Sequence, residues 1–257
     1  MMNYFDSHAH YDDKRFKQDR EELLRELLPS QKLKVDLHDS LLCNKFHKLL
    51  SIRLAEKYDY IYAAVGVHPH ELYDMSSQTI AKLKKLSEHK KVVAIGEIGL
   101  DYYYDTHPKE LQRFWFRQQL RLAEETNLPV VIHSRDASQE TFDIIKASSV
   151  RRGSIHCYSG SAQMALDYVK MGFSIGVGGV VTFSNAKKLV ETVAAIPMES
   201  ILIETDCPYL APNPNRGKRN DSTNLKYVVE KIAEIKNLPP ETVAEISEKN
   251  AKSLFFK

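Results

Sequence analysis

The chain has 257 residues, 43% hydrophobic and 27% charged, with a net charge of +2. That composition fits a folded globular protein and excludes a disordered one; no apolar stretch approaches the roughly 18 residues needed to span a bilayer. The near-neutral charge neither demands nor excludes a nucleic-acid partner, and the three cysteines form no C-x-x-C pair, so a reducing cytoplasm is the expected setting.

The first residues run at once into a polar Asp/His cluster, so no signal-peptide hydrophobic region is expected. Apolar runs then alternate with amphipathic stretches. Strands are predicted at Tyr4–His8, Lys34–Leu37, Tyr60–Val67, Val92–Ile98, Pro129–His133, Ser154–His156, Phe173–Val177 and Ile201–Thr205. Between the fourth and fifth, Leu111, Phe114, Trp115, Leu122 and Ala123 mark one helical face, which Asn127-Leu128-Pro129 ends because proline restricts the residue before it. Leu225, Val228, Val229, Ile232 and Ala233 do the same after the eighth strand. Pro239-Pro240 separates the last two helices, with Pro240 near the start of the final one and Thr242 near its cap. The final face, Val243, Ile246, Ala251 and Leu254, is broken by Asn250. Strands alternating with helices imply βαβ units and a parallel sheet. Eight units predict an α/β fold, a single-domain (β/α)8 TIM barrel over residues 1–257, with an open doubly wound sheet as the alternative.

Five strand-end segments carry metal-ligand residue types: Asp6-Ser7-His8-Ala9-His10, the Glu97 of Gly96-Glu97-Ile98-Gly99, the His133 of Val131-Ile132-His133, the His156 of Ile155-His156-Cys157, and the Asp206 of Glu204-Thr205-Asp206. In barrels and open α/β sheets alike, ligands bind at the carboxyl ends of the strands. His8 and His10 are two apart, so an extended chain puts both on one face; the same spacing lets Glu204 and Asp206 both point inward. A lone strand-end histidine is commonly just a satisfied polar residue, but four together with two carboxylates exceed the needs of one metal ion. They suit two ions sharing a carboxylate, and predict a metal-dependent hydrolase.

Around these, His68 and His70 flank Pro69 beyond the third strand, and His68 is a candidate for the substrate pocket. His47, His89 and His107 read as surface residues, and His38 has no partner pattern. Arg135, Arg216, Lys218 and Arg219 are candidate contacts to an anionic substrate, against the alternative that each is a solvated loop residue. Ser159-Gly160-Ser161 precedes a helix whose backbone N–H groups could take a phosphate. Tyr102-Tyr103-Tyr104 either stacks on bases or packs on the barrel rim.

With these segments, the chain resembles the TatD family of metal-dependent deoxyribonucleases, a branch of the amidohydrolase-like barrels. The matching stretches, besides the five above, are Gly66-Val67-His68-Pro69-His70, Gly96 through Tyr102, Val131 through Arg135, His156 through Gly160, Glu204 through Leu210, and Arg216-Gly217-Lys218-Arg219-Asn220. They run from end to end in the family's order. The resemblance implies a TIM barrel with 3′→5′ exonuclease activity on DNA. It implies two divalent ions, Mg²⁺ in use and Zn²⁺ possible. His8, His10, Glu97 and Asp206 would hold one ion, and Glu97, His133 and His156 the other. Asp206 would also activate the attacking water, and Glu204 would position that water or Asp206. Two departures stand out: Gln31–His47 lacks the family's glycine-bearing second strand, and Ser222 replaces a proline common after Asn220 and an acidic residue.

The expected partner is DNA, single-stranded or at 3′ ends, with no membrane and no obligate protein partner. Two other functions compete: ester or amide hydrolysis, for instance deacylation of a mischarged tRNA, and a non-catalytic barrel that binds nucleic acid or protein.

Overall fold

The computed structural model describes residues 2–27, 33–40, 50–104 and 106–256, with backbone alone for 27 and 33–40. Most of the departure at Gln31–His47 therefore lies outside the described residues. Eight parallel strands pair in sequence order: β1 (Tyr4–Ala9), β2 (Leu33–Ser40), β3 (Ile61–Gly66), β4 (Val92–Asp101), β5 (Val130–Arg135), β6 (Gly153–Ile155), β7 (Phe173–Val177) and β8 (Ile201–Ile203). β1 and the segment just beyond β8 meet at one backbone bridge, Ala9 to Cys207. There the His10 N–H donates to Cys207 O at 2.8 Å and the Asp206 N–H to His8 O at 3.0 Å. The ring is thereby closed into the expected TIM barrel.

A helical turn, Arg20–Glu22 running into Leu23–Leu27, follows β1. The remaining helices are α1 (Leu50–Lys57), α2 (Ser77–Ser87), α3 (Lys109–Thr126), α4 (Ser138–Ala147), α5 (Ala162–Lys170), α6 (Lys187–Ala195), α7 (Leu225–Lys236) and α8 (Pro240–Phe255). Their ends follow local chemistry. Ser76 and Thr79 form a capping box at α2. Asn127 and Asn237, at φ 53° and 52°, end α3 and α7 in the left-handed conformation that asparagine tolerates. Pro240 occupies the first turn of α8, where its missing N–H is no loss, and Thr242 lies inside the helix.

The strands are apolar because helices cover their outer face while side chains fill the barrel. At the amino end of the strands, Phe5, Val93, Ala94 and Leu202 pack with Leu254 and Phe255 of α8. The Phe5 ring lies 6.2 Å from Phe255 and 6.1 Å from Phe256, so the last helix plugs the end away from the ligand side chains. Asn250, the polar break in that helix's apolar face, donates to Met198 O at 2.8 Å and Ile201 O at 2.9 Å. It ties α8 to the entry of β8.

Several strand limits differ from expectation. β4 continues past Ile98 because Gly99, Leu100 and Asp101 pair in register with His133, Ser134 and Arg135 of β5. β6 and β8 stop early, at Ile155 and Ile203, so His156, Glu204 and Asp206 sit just beyond strand ends.

Replacing Asn250 by alanine removes its two hydrogen bonds to the carbonyls of Met198 and Ile201. The expected loss is about 1–3 kcal/mol, read as a lower urea midpoint at unchanged slope; an unaltered midpoint would contradict the tie.

Candidate metal centre

The side chains read as ligands converge at the carboxyl end of the barrel. β1 and the residue after it supply His8 and His10. Glu97 comes from within β4, where the register against β5 slips between Ile95 and Ile98; such irregularities re-aim side chains next to sites. β5 supplies His133, and the turns beyond β6 and β8 supply His156 and Asp206. Asp206 sits at φ 54°, a left-handed conformation open to aspartate.

Glu97 is the centre. Its Oε2 lies 3.4 Å from His8 Nε2 and 3.8 Å from His10 Nε2. Its Oε1 lies 2.8 Å from His133 Nδ1, 3.2 Å from His156 Nε2 and 3.7 Å from His68 Nε2. Asp206 Oδ1 approaches His8 Nε2 at 3.6 Å and His10 Nε2 at 3.4 Å, and those two nitrogens are 3.0 Å apart. Donor atoms fall into three groups, each within 4.8 Å: His8, His10 and Asp206; His8, Glu97 and His156; and His68, Glu97 and His133.

These distances fit a cation. Ligands at about 2.0–2.1 Å from a tetrahedral ion stand about 3.3 Å from one another, close to the spacing of the His8, His10, Glu97 and Asp206 atoms. Nitrogen lone pairs facing each other are favourable only with a proton or a metal between them. His133 and His156, expected in the second set, both face Glu97 Oε1, and His68, a candidate for the substrate pocket, stands beside the same oxygen in a group with Glu97 and His133.

Electrostatics agree with a site built around carboxylates. Burial disfavours the charged Glu97, yet His156, His8, His68 and the hydrogen bond from His133 hold it well below the ordinary range. Burial likewise opposes protonation of His10, but Asp206, with Glu97 and Asp12, lifts its pKa to about 9. His156 is raised well above its usual value, against burial, by Glu97 and Glu204. His68 moves the other way: burial and its neighbour His133 push it well below.

A second ring of side chains orients the first. Asp101, wholly buried, places Oδ2 3.0 Å from His133 Nε2 and 2.8 Å from His70 Nε2, while Oδ1 accepts the N–H groups of Tyr103 and Tyr104. Burial opposes its charge, but the His133 hydrogen bond and the Tyr104 N–H keep it below the usual carboxylate range. Glu204, expected to position a water or Asp206, is also wholly buried. Just beyond the end of β8 at Ile203, its Oε1 accepts the Cys157 N–H and lies 3.4 Å from His156 Nδ1. A Cβ at Gly176 would collide with its Oε2, so β7 leaves that space open.

Asp6 closes the barrel beneath the site. Its carboxylate accepts the Thr205 N–H at 2.9 Å and the hydroxyls of Thr205 and Ser222 at 2.6 Å each. Burial outweighs these bonds and raises its pKa to about 7. Ser222, the departure from the family's proline, also donates its N–H to Tyr11 Oη at 2.8 Å, a bond proline could not make.

The rim cations divide. Arg135 is exposed, its guanidinium 4.0 Å from the Tyr103 ring and 4.7 Å from that of Tyr104. Arg216 lies 4.2 Å above Phe183, and exposed Lys218 reaches Asn215 Oδ1 at 3.5 Å. Arg219 is engaged elsewhere: it pairs with Asp19 at 2.7 Å and covers Phe16, tying its loop to the segment after β1. At the Ser159–Ser161 turn, Ser161 itself caps α5 by accepting the Met164 N–H. His107, expected on the surface, is buried, its Nε2 3.1 Å from His70 O.

Sequence reasoning passed over Asp6 and Asp101 as motif neighbours. For Asp101 the available signal was its spacing of four from Glu97, which an extended strand carries to the same face. For Asp6 it was its place two before His8.

The comparisons point one way. The profile of the TatD related DNases matches residues 5–256. The chain is 44% identical over 256 residues to YabD of Bacillus subtilis, described as an uncharacterized metal-dependent hydrolase, covering 98% of each. It is 33% identical to YjjV of Escherichia coli K12, another protein so described, over 99% of this chain and 98% of that one. The crystal structure of YjjV, a TatD homolog, superposes with a TM-score of 0.90, covering 98% of this chain and 97% of the other. A TatD family hydrolase from Entamoeba histolytica, 24% identical, shares the fold at a TM-score of 0.86 over 99% and 98% of the two chains.

Asp101→Asn weakens the hold on His133 without touching Glu97. It is expected to lower metal affinity roughly 10–100-fold, read by competition with a metal-sensitive chelating dye; unchanged affinity would remove Asp101 from the site. Ser222→Ala is expected to lower stability by about 1–3 kcal/mol in urea unfolding, because Asp6 loses a donor it cannot replace; a neutral result would show the seam does not need it.

Proposed function

Because the chain belongs to the family of TatD-related DNases and is a metal-dependent hydrolase, we propose that it hydrolyses phosphodiester bonds of DNA from the 3′ end. The observation that carries this reading is the division of Glu97. One oxygen faces His8 and His10, the other His133, His156 and His68. A carboxylate so shared suits two divalent ions, Mg²⁺ in use or Zn²⁺, with His8, His10, Glu97 and Asp206 around one and Glu97, His133, His156 and His68 around the other. Such ions supply a strong nucleophile near neutral pH and offset charge on the phosphoryl oxygens, as hydrolysis of an anionic diester requires.

The chain's own groups do the rest. Asp206 has one oxygen toward His8 and His10 and is part-exposed, so it can accept a proton from an entering water. That water's oxygen bonds to phosphorus as the bond to the 3′ oxygen of the shortened strand breaks. The products are a nucleoside 5′-monophosphate and a new 3′ hydroxyl, which takes up a proton. Asp101 and Glu204 fix the rings of His133 and His156, so little reorganisation accompanies the reaction. Arg135, exposed at the end of β5, would meet a phosphate oxygen, and Arg216 and Lys218 lie on the loop after β8.

The test is incubation of the metal-loaded protein with a 5′-labelled single-stranded oligonucleotide and, separately, with an aminoacyl ester. Stepwise loss of mononucleotides from the 3′ end is expected. It should vanish with chelator, return with Mg²⁺ or Zn²⁺, and fall at least 10³-fold in Glu97→Gln, the upper range for a single electrostatic group. Ester cleavage without DNA cleavage would overturn the phosphodiester reading, and nucleotide release surviving Glu97→Gln would overturn the site.

A further inference from the structure

The described surface carries six exposed large hydrophobic side chains: Tyr73, Tyr103, Tyr104, Phe114, Tyr209 and Leu210. Only Phe114, on α3, lies on a helix; the other five sit in the loops after β3, β4 and β8, on the face that holds the metal centre. Exposed aromatic surface gathered at one end of a barrel marks a place where something binds.

Two of these groups are built alike. After β4, the rings of Tyr103 and Tyr104 lie edge to face at 4.9 Å, with the Arg135 guanidinium over both. After β8, Tyr209 carries the Arg15 guanidinium 3.9 Å above its ring. Arg15 is also held by Asp13, through bonds of 3.0 Å from Nε and the terminal nitrogen, so the cation is fixed in place over the ring. Tyr102, by contrast, is tied to the rim by Glu140.

Their positions matter as much as their composition. In a ring of eight strands in sequence order, β4 and β8 stand opposite each other. The Tyr104 ring is 5.0 Å from His70, on the Asp101 and His133 side; the Tyr209 ring is 6.3 Å from His10, on the Asp206 side. The two aromatic–arginine groups therefore face each other across the mouth, with Glu97 between them.

We infer that Tyr209 with Arg15, and Tyr103–Tyr104 with Arg135, are two base-stacking brackets that hold the nucleobases on either side of the reacting phosphate. Aromatic rings accept any base, because every base has a stacking face, and a guanidinium adds attraction to both ring and phosphate. Bases held at opposite rims cannot stack on each other or remain paired. The substrate at this site is thus an unpaired strand, read without regard to sequence. This rests on the proposed function and adds to it the side chains that hold the substrate's bases.

The experiment uses the metal-loaded protein and oligodeoxynucleotides with an abasic residue at either of the two positions flanking the scissile bond. Tyr209→Ala and Tyr104→Ala are each expected to raise KM about 5- to 100-fold, the range for one stacked base. An abasic residue at the matching position should do the same in the parent protein and nothing further in the variant, since both remove the same contact. Tyr209→Phe and Tyr104→Phe should restore KM, and Phe114→Ala should leave it unchanged. Abasic substrates cleaved with an unchanged KM, or blunt duplex cleaved as well as single strand, would overturn the brackets. Should no DNA be cleaved at all, the proposed function fails on its own. The brackets are then judged by anisotropy of a labelled phosphorothioate oligonucleotide: binding lost in Tyr209→Ala and kept in Tyr209→Phe upholds them, and absence of binding by the parent protein overturns them.

Discussion

The site depends on the closing of the barrel, and the closing depends on Asp6. Strand β1 and the turn beyond β8 share one backbone bridge, too little to fix the seam by itself. Asp6 adds what the backbone lacks: its carboxylate binds both the N–H and the hydroxyl of Thr205, 199 residues away. Ser7 adds a further bond to Ile203 O at 3.0 Å. An ionised carboxylate without partners in such a place would cost several kcal/mol, so the seam is favourable only when these donors are in register. That requirement brings His8 and His10, from one end of the chain, beside Asp206 near the other. A one-residue slip would turn His8 away from Glu97.

Above the seam, charge is arranged in layers. Glu97 and Asp206 are negative, the imidazoles lie around them, and a further acid, Asp101 or Glu204, stands behind His133 and His156. Burying so many ionisable groups is unfavourable unless each has an opposite partner. Here every carboxylate of the centre has imidazoles or backbone N–H groups within reach. The arrangement is a rigid one. Ring rotation of His133 would break two contacts at once, to Glu97 and to Asp101. Preorganisation of this kind is what an electrostatic catalyst needs, because donors that are already aimed need not reorient when charge develops.

Much of this was legible in the sequence, and the failures share a cause. Strand type and order, the barrel, and the convergence of His8, His10, Glu97, His133, His156 and Asp206 follow from apolar runs that end in ligand types. What pattern could not reach was direction beyond a strand end. Period-two alternation assigns faces only while the chain is extended. β8 ends at Ile203, so the alternation that paired Glu204 with Asp206 no longer applied, and Glu204 turned to His156. β4 carried the opposite error: read as ending at Ile98, it concealed that Asp101 is still on the strand and faces His133. Arg219 and His107 show a second limit. Their partners, Asp19 and the His70 carbonyl, are distant in sequence, and nothing local in their own segments marks them as engaged.

The distribution of charge at the rim bears on how an anionic strand would be held. Arg219 is neutralised by Asp19 and Arg15 by Asp13, while among the described residues no carboxylate pairs with Arg135. The whole chain is nearly neutral at +2. Long-range attraction of a polyanion is therefore weak, and few condensed counterions would be released on binding. For single strands the salt slope is about −0.7 per phosphate neutralised, so one or two free cations give a shallow dependence. On the proposed function, affinity would then come from short-range terms: the metal centre beneath the phosphate and the tyrosines beside it. Such a surface would hold one or two nucleotides firmly and the rest of the strand loosely. An enzyme that works along a strand from its end needs that balance, because each product must leave before the next bond can enter.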